Sequence, residues 1–181
     1  IFGMTMMVFK GRTVLVADTN VEDFPSSERL VAISKSCVRV SKLFGFDPKV
    51  AFLSHSTFGK PISRNTKHVR DAIDMLKNDK VDFDFDGEMQ PDVALNPIYQ
   101  DVYPFSKIVG RANILIMPAL HSAAISTKLM KSFGGAKLIG PLLIGLDLPI
   151  EVAPLRSSTS DILNLASIAA FSSDVIDYKK N

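Results

Sequence analysis

Two short apolar runs on either side of one helical pattern constrain the fold of this chain more than any other feature. The runs are Ile114–Met117 and Leu138–Gly145, and their length and composition are typical of strands buried on both faces. Ser122 is predicted to cap the helix between them, and Gly134 and Gly135 to end it. Apolar residues recur at every fourth position of that helix: Ile125, Leu129 and Phe133. The pattern predicts a strand–helix–strand unit, in which ligands bind beyond the carboxyl ends of the strands.

The same alternation of strand and helix patterns occupies the rest of the chain. Apolar and β-branched runs around a Lys-Gly turn predict an amino-terminal hairpin over Met4–Ala17. Helices are predicted from Ser26 to Gly45 and from Asn65 to Leu76, with a strand over Lys49–Ser54 between them. The fold class is therefore α/β, a three-layer α/β/α domain whose sheet is mostly parallel and mixed.

The segment Val81–Asp86 alternates apolar and acidic residues, which predicts a half-exposed strand. Asp82, Asp84 and Asp86 then share the solvent face, and no EF-hand spacing follows them. A divalent metal site is the alternative, but no metal site is expected. The next residues, Gly87–Gln90, predict a sharp turn that brings polar side chains to the carboxyl end of the strand.

The last part of the chain predicts a short edge strand over Pro149–Ala153 and a helix that starts near Asp161 and ends near Tyr178. The residues of this helix expected to face the core are Ile162, Leu165, Ala166, Ile168 and Ala169.

Composition and charge exclude several classes of function. The formal net charge of +2 is small and the basic residues are scattered, which argues against a nucleic-acid partner. The one cysteine, Cys37, cannot form an internal disulfide and lies on an apolar helix stripe, so we expect a buried thiol in a reducing cytoplasm. No apolar run is long enough to span a membrane, and no signal peptide pattern is present. The predicted localisation is cytoplasmic.

The loop after the predicted strand Lys49–Ser54 is the strongest candidate for ligand contact. Ser54, Ser56, Thr57 and Gly59 combine small hydroxyl side chains with a glycine, and together they can present O–H and N–H groups to an anion. The loop also precedes the amino end of a helix. A solvated connecting loop is the alternative. Arg64, His68 and Arg70 nearby are expected to be surface charges of the helix.

Three motifs resemble the phosphate acetyltransferase (phosphotransacetylase) family: Leu53–Gly59, Asp86–Asp92 with Ala94–Pro97, and Ala112–Pro118 followed after a helix by Phe133–Leu146. Their combination is similar to the phosphotransacetylase-like C-terminal domain of bacterial NADP-dependent malic enzymes, and the resemblance covers Met4–Tyr178. It implies the three-layer fold related to isocitrate and isopropylmalate dehydrogenases. Because the sequence starts at Ile1 without methionine, we expect residues 1–181 to be one transferase-like domain fragment, the C-terminal part of a longer chain. We expect 154–181 to pack against the missing half.

The resemblance also implies where a ligand would bind. It carries Ser56, Thr57 and Gly59 over to the loop that helps to hold an acyl phosphate, but Phe58 stands where an active member has a basic residue. His121 and Ser122 are candidate ligand contacts in the turn before the central helix, although the family has an acidic residue and small residues there.

Active members also carry a Ser-Arg pair ahead of an aspartate. Counted back from Asp161, Pro154 and Leu155 occupy the positions of that pair, and Arg156 is displaced by one residue. An arginine there would clamp phosphoryl oxygens, so Arg156 is a candidate ligand contact. We expect no catalytic residue, with Arg156 and Asp161 as vestigial candidates.

The resemblance implies a regulatory and oligomerisation domain that binds acetyl-CoA, or a related small anionic ligand, as an effector. The parent enzyme would oxidatively decarboxylate malate to pyruvate with NADP and a divalent metal in an absent amino-terminal region. No cofactor is expected in this chain, which lacks a G-x-G-x-x-G fingerprint. Self-association as a homodimer or larger assembly is expected. The alternatives are an active phosphate acetyltransferase, which makes acetyl phosphate and CoA from acetyl-CoA and phosphate, and an unrelated α/β binding domain.

Overall fold

A single six-stranded mixed sheet forms the centre of the protein. The structure is a computed structural model that describes residues 1–175, so the predicted helix end near Tyr178 lies outside the described residues. The strands are β1 Phe2–Phe9, β2 Arg12–Ala17, β3 Lys49–Leu53, β4 Asp84–Met89, β5 Ile114–Ile116 and β6 Lys137–Ile144. Their order in the sheet is β4-β3-β5-β2-β1-β6. The first four in this order pair in parallel, whereas β1 is antiparallel to both of its neighbours.

Among residues 1–175, four α-helices and two short 3-10 turns connect the strands, and a fifth α-helix follows β6. The helices are α1 Ser27–Leu43, α2 Lys67–Asp79, α3 Pro91–Leu95, α4 Leu120–Gly134 and α5 Thr159–Val175, and the 3-10 turns are Arg64–Thr66 and Pro97–Gln100. Ser26 caps α1 as predicted, because its side chain accepts a hydrogen bond from the Arg29 N–H. None of the described helices is long and apolar enough to cross a membrane.

The two faces of the sheet carry separate apolar cores, which confirms the predicted three-layer α/β/α class. Alternate strand residues point to opposite faces. One core joins residues of α1, α2 and α5 to residues such as Phe52 and Ile114. The other joins α3 and α4 to residues such as Ala51 and Leu115. Cys37 is fully buried in the first core, as predicted.

The amino-terminal hairpin is confirmed. Met7 pairs with Val14, and Lys10 and Gly11 form the two-residue turn between the strands. Both turn residues have positive φ, 48° and 73°, which suits the right-handed twist of the paired strands.

The acidic strand differs from the prediction in position and exposure. It starts at Asp84 and ends at Met89. Asp82 and Asp84 are exposed, but Asp86 is only 8 % exposed. The Asp86 carboxylate accepts hydrogen bonds from the N–H groups of Lys107, at 2.7 Å, and Gly87, at 2.9 Å. The prediction that Asp86 faces solvent was wrong because a backbone donor from a distant segment satisfies its charge.

Gly87 is required by close packing within this strand. Its φ is +148°, and a Cβ atom at this position would lie 2.7 Å from the Phe52 carbonyl oxygen. A side chain here would be strained in backbone conformation and would also clash with β3.

The helix α4 begins three residues earlier than predicted and turns a different face to the sheet. Ala119, not Ser122, is its N-cap residue, and Gly135 ends it with a φ of 66°. Ala123 and Thr127 are the buried residues of α4. The apolar stripe of α4, defined as Ile125, Leu129 and Phe133, is 58 %, 50 % and 88 % exposed.

The carboxyl-terminal region packs less closely than the sequence predicts. The edge strand expected at Pro149–Ala153 is reduced to one bridge between Glu151 and Leu142. In α5, Leu165 is buried and Ile168 packs against the first core, but Ile162 is 51 % exposed and Ala166 is also exposed. Little of this helix is covered by the described residues.

Candidate functional site

In the predicted ligand loop, Ser54–Pro61, the serine hydroxyl groups form hydrogen bonds within the protein. Ser54 and Ser56 are buried, and their Oγ atoms lie 3.1 Å apart. Ser56 Oγ donates to the Glu88 carboxylate at 2.6 Å, and Ser54 Oγ accepts from the Ser56 N–H. These hydroxyls hold the loop to the end of β4, and a ligand role for Ser54 and Ser56 stays a prediction.

The second half of this loop is held to β4 by its backbone. The Phe58 N–H donates to the Glu88 carbonyl at 2.7 Å, and Thr57 Oγ1 accepts from the Gln90 N–H. Gly59, with a φ of +80°, lies in a turn that Thr57 and Lys60 close with two backbone hydrogen bonds. A ligand role for Thr57 and Gly59 also stays a prediction.

Arg70 was predicted as a surface charge, but it pairs with the buried carboxylate of Glu88. Its Nη1 lies 3.2 Å from Glu88 Oε1, and the Glu88 side chain is fully buried. The guanidinium also donates to Thr66 Oγ1 and to the Ser63 carbonyl. Arg70 is drawn to Glu88 because an opposite charge beside a buried carboxylate avoids the cost of an unpaired buried ion.

His68 also has a partner that the sequence does not reveal. Its Nε2 lies 3.0 Å from the Pro118 carbonyl oxygen, and its ring packs against Phe24 with centroids 4.4 Å apart. Since a carbonyl only accepts, Nε2 carries the proton in this contact. His68 therefore links α2 to the end of β5.

The carboxyl ends of β2 and β5 form the topological switch point of the sheet. The helix after β2 leads toward β3 on one face, whereas α4 leads from β5 toward β6 on the other face. In open α/β sheets the crevice beside such a point is the usual ligand site. Thr19 and Asn20, just after β2, and Leu120, at the start of α4, line a cavity here.

This cavity, the switch-point groove, has a volume of about 460 Å³. It runs between α4, β6 and the segment that leads into α5. The lining residues used below are Thr19, Asn20, Lys128, Lys131, Leu138, Ile139, Arg156, Asp161 and Leu165. A concave site with an apolar wall and a few charged groups is the usual form of a small-molecule site.

Three cationic side chains line the switch-point groove: Lys128 and Lys131 of α4, and Arg156 of the segment before α5. Asp161 is the one acidic residue among the lining residues of this cavity, so cations exceed acids by three to one. Such a wall favours an anionic ligand, and the effect is largest where water is excluded. The sequence prediction found Arg156 and Asp161. It missed Lys128 and Lys131, although their spacing of three residues on one helix is the signal for a shared face.

The Asp161 carboxylate forms hydrogen bonds that cap the start of α5. It accepts hydrogen bonds from the Ser158 N–H at 3.0 Å and from Ser158 Oγ at 2.8 Å, while the Asp161 N–H donates back to that hydroxyl. These bonds from the Ser158 side chain and backbone lower the pKa of Asp161, with smaller contributions from Lys137 and Lys131. This reciprocal pairing is a capping box, which explains why the helix begins here.

His121 and Ser122 lie in the first turn of α4, next to the groove but not among its lining residues. His121 is exposed, and the Ser122 carbonyl accepts a hydrogen bond from Ser126 Oγ. Their neighbours Leu120 and Ala124 face the cavity instead. A ligand role for His121 and Ser122 stays a prediction. Within residues 1–175, no group of three His, Cys, Asp or Glu side chains is placed to hold a metal ion.

The fold and the groove define a class of protein: an open α/β domain with a cationic crevice at its switch point. The sequence model of the phosphate acetyl/butaryl transferase family matches residues 1–170 of this chain. The chain belongs to this family.

Curated relatives and solved structures agree with this assignment. The chain is 47 % identical to an NADP-dependent malic enzyme of Rhizobium meliloti, over 94 % of this chain and 22 % of that protein. It is 32 % identical to the phosphate acetyltransferase of Bacillus subtilis, over 93 % of this chain and 52 % of that protein. A phosphotransacetylase structure from Streptococcus pyogenes superposes with a TM-score of 0.89 at 31 % identity, over 96 % of this chain and 54 % of that chain. The chain therefore spans about half of these transferases and about a fifth of the malic enzyme.

Proposed function

We propose that this chain is the regulatory, phosphotransacetylase-like domain of a cytoplasmic NADP-dependent malic enzyme, and that it binds acetyl-CoA in the switch-point groove without transferring the acetyl group. The observation that carries this proposal is the pairing of a cationic groove with an aspartate that is used as a helix cap. The malic enzyme relative, with 47 % identity, supports the choice of parent enzyme.

The groove suits the two chemical parts of acetyl-CoA. Leu138, Ile139 and Leu165 provide an apolar wall for the acetyl group and the pantetheine arm. The lysines of α4 and Arg156 provide charges for the phosphates of the nucleotide part. No single side chain needs to position a reacting atom for such a ligand to bind.

Acetyl transfer to phosphate requires catalytic groups that acetyl-CoA binding alone does not require. It needs a base for the CoA thiol and a clamp for the phosphate that becomes stronger in the transition state. The Ser158 hydrogen bonds lower the pKa of Asp161, which makes it a weak base. Leu155, which stands beside Arg156, is fully exposed and carries no hydroxyl group. These features support an effector domain over an active transferase.

Chemistry on malate belongs, in this proposal, to a part of the enzyme outside this chain. Oxidative decarboxylation of malate to pyruvate needs NADP and a divalent metal, and both would be held there. Acetyl-CoA bound to this domain would change the rate of that reaction through a coupling free energy between the two sites.

Two apolar surfaces fit the domain's place in a larger assembly. The exposed apolar residues of α5 and of the segment before it would pack against the rest of the transferase-like fold, since the phosphate acetyltransferase relative is about twice as long as this chain. The apolar stripe of α4 would pack against the same stripe of a second copy. A stripe of uncharged residues four apart is self-complementary about a two-fold axis.

The test is calorimetric titration of acetyl-CoA into the full-length protein, together with an assay for acetyl phosphate formed from acetyl-CoA and phosphate. We expect saturable binding, no acetyl phosphate, and a change in malate oxidation. Arg156→Gln should weaken binding about tenfold, because it removes a charge-assisted hydrogen bond. Arg39→Gln, an exposed arginine on α1, is the matched control and should bind normally.

Formation of acetyl phosphate at a rate typical of an enzyme would overturn the non-catalytic part of this proposal. Absence of acetyl-CoA binding would overturn the effector part. Equal weakening in the Arg156→Gln and Arg39→Gln variants would show that the ligand binds elsewhere.

A further inference from the structure

A second cavity, the amino-end pocket, opens at the opposite end of the sheet and has a volume of about 320 Å³. It lies where β1 ends and where β2 and β5 begin, between the last turn of α4 and the connection after α3. It shares no lining residue with the switch-point groove. Any ligand of this pocket is therefore separate from a ligand of the groove.

The wall of the amino-end pocket is mostly apolar, with Thr13 and Asn113 as uncharged polar members, and it continues the second core. Its apolar side chains are Met7, Phe9, Val14, Phe46, Leu95 and Met130. Met7 and Ala112, which are 7 % and 2 % exposed, belong to the packed core beneath. Such a wall is suited to an aliphatic chain, because each buried methylene group strengthens binding.

The mouth of the amino-end pocket is cationic. Arg12 and Arg111 line it, and it has no acidic lining residue. Lys10 does not line the pocket, but its Nζ lies 5.1 Å from the centre of the Phe9 ring, which does. Arg111 uses its Nε to donate to the Leu95 carbonyl at 3.2 Å. Among residues 1–175, neither arginine forms an ion pair with a carboxylate.

We propose that the amino-end pocket binds a medium-chain aliphatic monocarboxylate, with the chain in the apolar wall and the carboxylate between Arg12 and Arg111. An apolar cavity with a cationic mouth is complementary to one negative charge at the end of an apolar chain. A chain of about eight to ten carbons suits a cavity of this size. This proposal does not rest on the function proposed above.

The test is calorimetric titration of hexanoate, octanoate and decanoate into the full-length protein, each below its critical micelle concentration. We expect one site per chain and an affinity that rises about fourfold for each added methylene group. Arg12→Gln and Arg111→Gln should each weaken decanoate binding about tenfold. Both arginines are exposed, so these variants keep the fold, and Arg39→Gln on the other face of the sheet is the matched control.

A second measurement locates the ligand. With ¹³C-labelled methionine methyl groups, decanoate should shift the signals of Met7 and Met130, which line the pocket. The signal of Met75, which packs against the other core, should not move. Acetyl-CoA titrated into the same sample should leave Met7 and Met130 unchanged.

Four results would overturn the proposal. Decylammonium that binds as tightly as decanoate would show detergent-like adsorption and not recognition of a carboxylate. Absence of saturable decanoate binding, or equal binding by the two arginine variants and the control, would show that no carboxylate site exists here. Shifts of Met7 and Met130 that depend on protein concentration without decanoate would assign the pocket to a second copy of the chain.

Discussion

Ser56 Oγ donates a 2.6 Å hydrogen bond to the carboxylate of Glu88, although the two residues lie 32 positions apart in the sequence. Both are buried, and Arg70 balances the carboxylate charge from the amino-terminal part of α2. The contact joins the loop after β3 to the end of β4. It therefore fixes the shape of the sheet's carboxyl edge at these two neighbouring strands.

We predict that Glu88→Gln lowers the free energy of unfolding by about 2 to 3 kcal/mol, since it leaves Arg70 without its countercharge and weakens the bond from Ser56. Ser56→Ala should cost about 1 to 2 kcal/mol. The two changes should cost less together than their sum, because they remove the same contact. Urea denaturation measures all three, with the exposed Asp84→Asn as a control expected to stay within about 0.5 kcal/mol. Additive losses would contradict the shared contact.

Local patterns in the sequence predict much of the fold but not these long-range partners. The hairpin, the α1 cap and the alternating elements depend on neighbours in sequence, so they could be predicted. Asp86 and Glu88 are paired with Lys107, Ser56 and Arg70, which lie 18 or more residues away. Nothing in a strand's own alternation tells which acidic residue will find such a donor.

The α4 stripe shows a second limit of pattern reading. A spacing of four residues shows that Ile125, Leu129 and Phe133 share one face of the helix. It does not tell whether the surface that covers this face lies within the same chain.

In the groove, Arg156 and Asp161 could be predicted from a resemblance, whereas the lysines of α4 meet them only after the segment before α5 folds back across β6.

Glu151 should make the protein less stable as pH rises, which is the opposite of the usual effect of a carboxylate in an ion pair. Burial raises the pKa of Glu151 to about 7 from its ordinary value of 4.5, and the hydrogen bond from the Leu143 N–H offsets only part of this effect. Because the native state holds this proton more tightly than the unfolded state, the Glu151 contribution to stability declines as pH rises from about 4.5 through about 7.

We predict that Glu151→Gln is more stable than the unmodified protein at pH 8 by about 1 kcal/mol, after allowance for the part of the side chain that contacts solvent. The difference should disappear at about pH 3, where the carboxyl group is protonated in both states. The variant keeps an oxygen that accepts from Leu143. Urea denaturation at both pH values measures this, and a stability difference that is larger at low pH would contradict it.

Cys37 should be unreactive in the native protein. The thiol is fully buried, and this burial, with a smaller contribution from Asp18, raises its pKa. Since the thiolate is the reactive form, we predict that a disulfide reagent modifies Cys37 only in the unfolded state. The rate should rise with urea in parallel with the unfolded fraction. Rapid modification without urea, at a rate set by reagent concentration, would show that α1 opens locally.

The last prediction concerns the apolar stripe of α4. Phe133 is 88 % exposed, and a charge at this position would be buried without a partner if two stripes pack together. We predict that Phe133→Glu and Leu129→Glu each weaken self-association at least tenfold, without loss of the free energy of unfolding of one copy. Ile62→Glu, which is an equally drastic change at an 86 % exposed position, is the matched control and should assemble normally. Sedimentation velocity over a range of protein concentrations measures the assembly. If all three variants keep the mass of the unmodified protein, another surface of the chain holds the copies together.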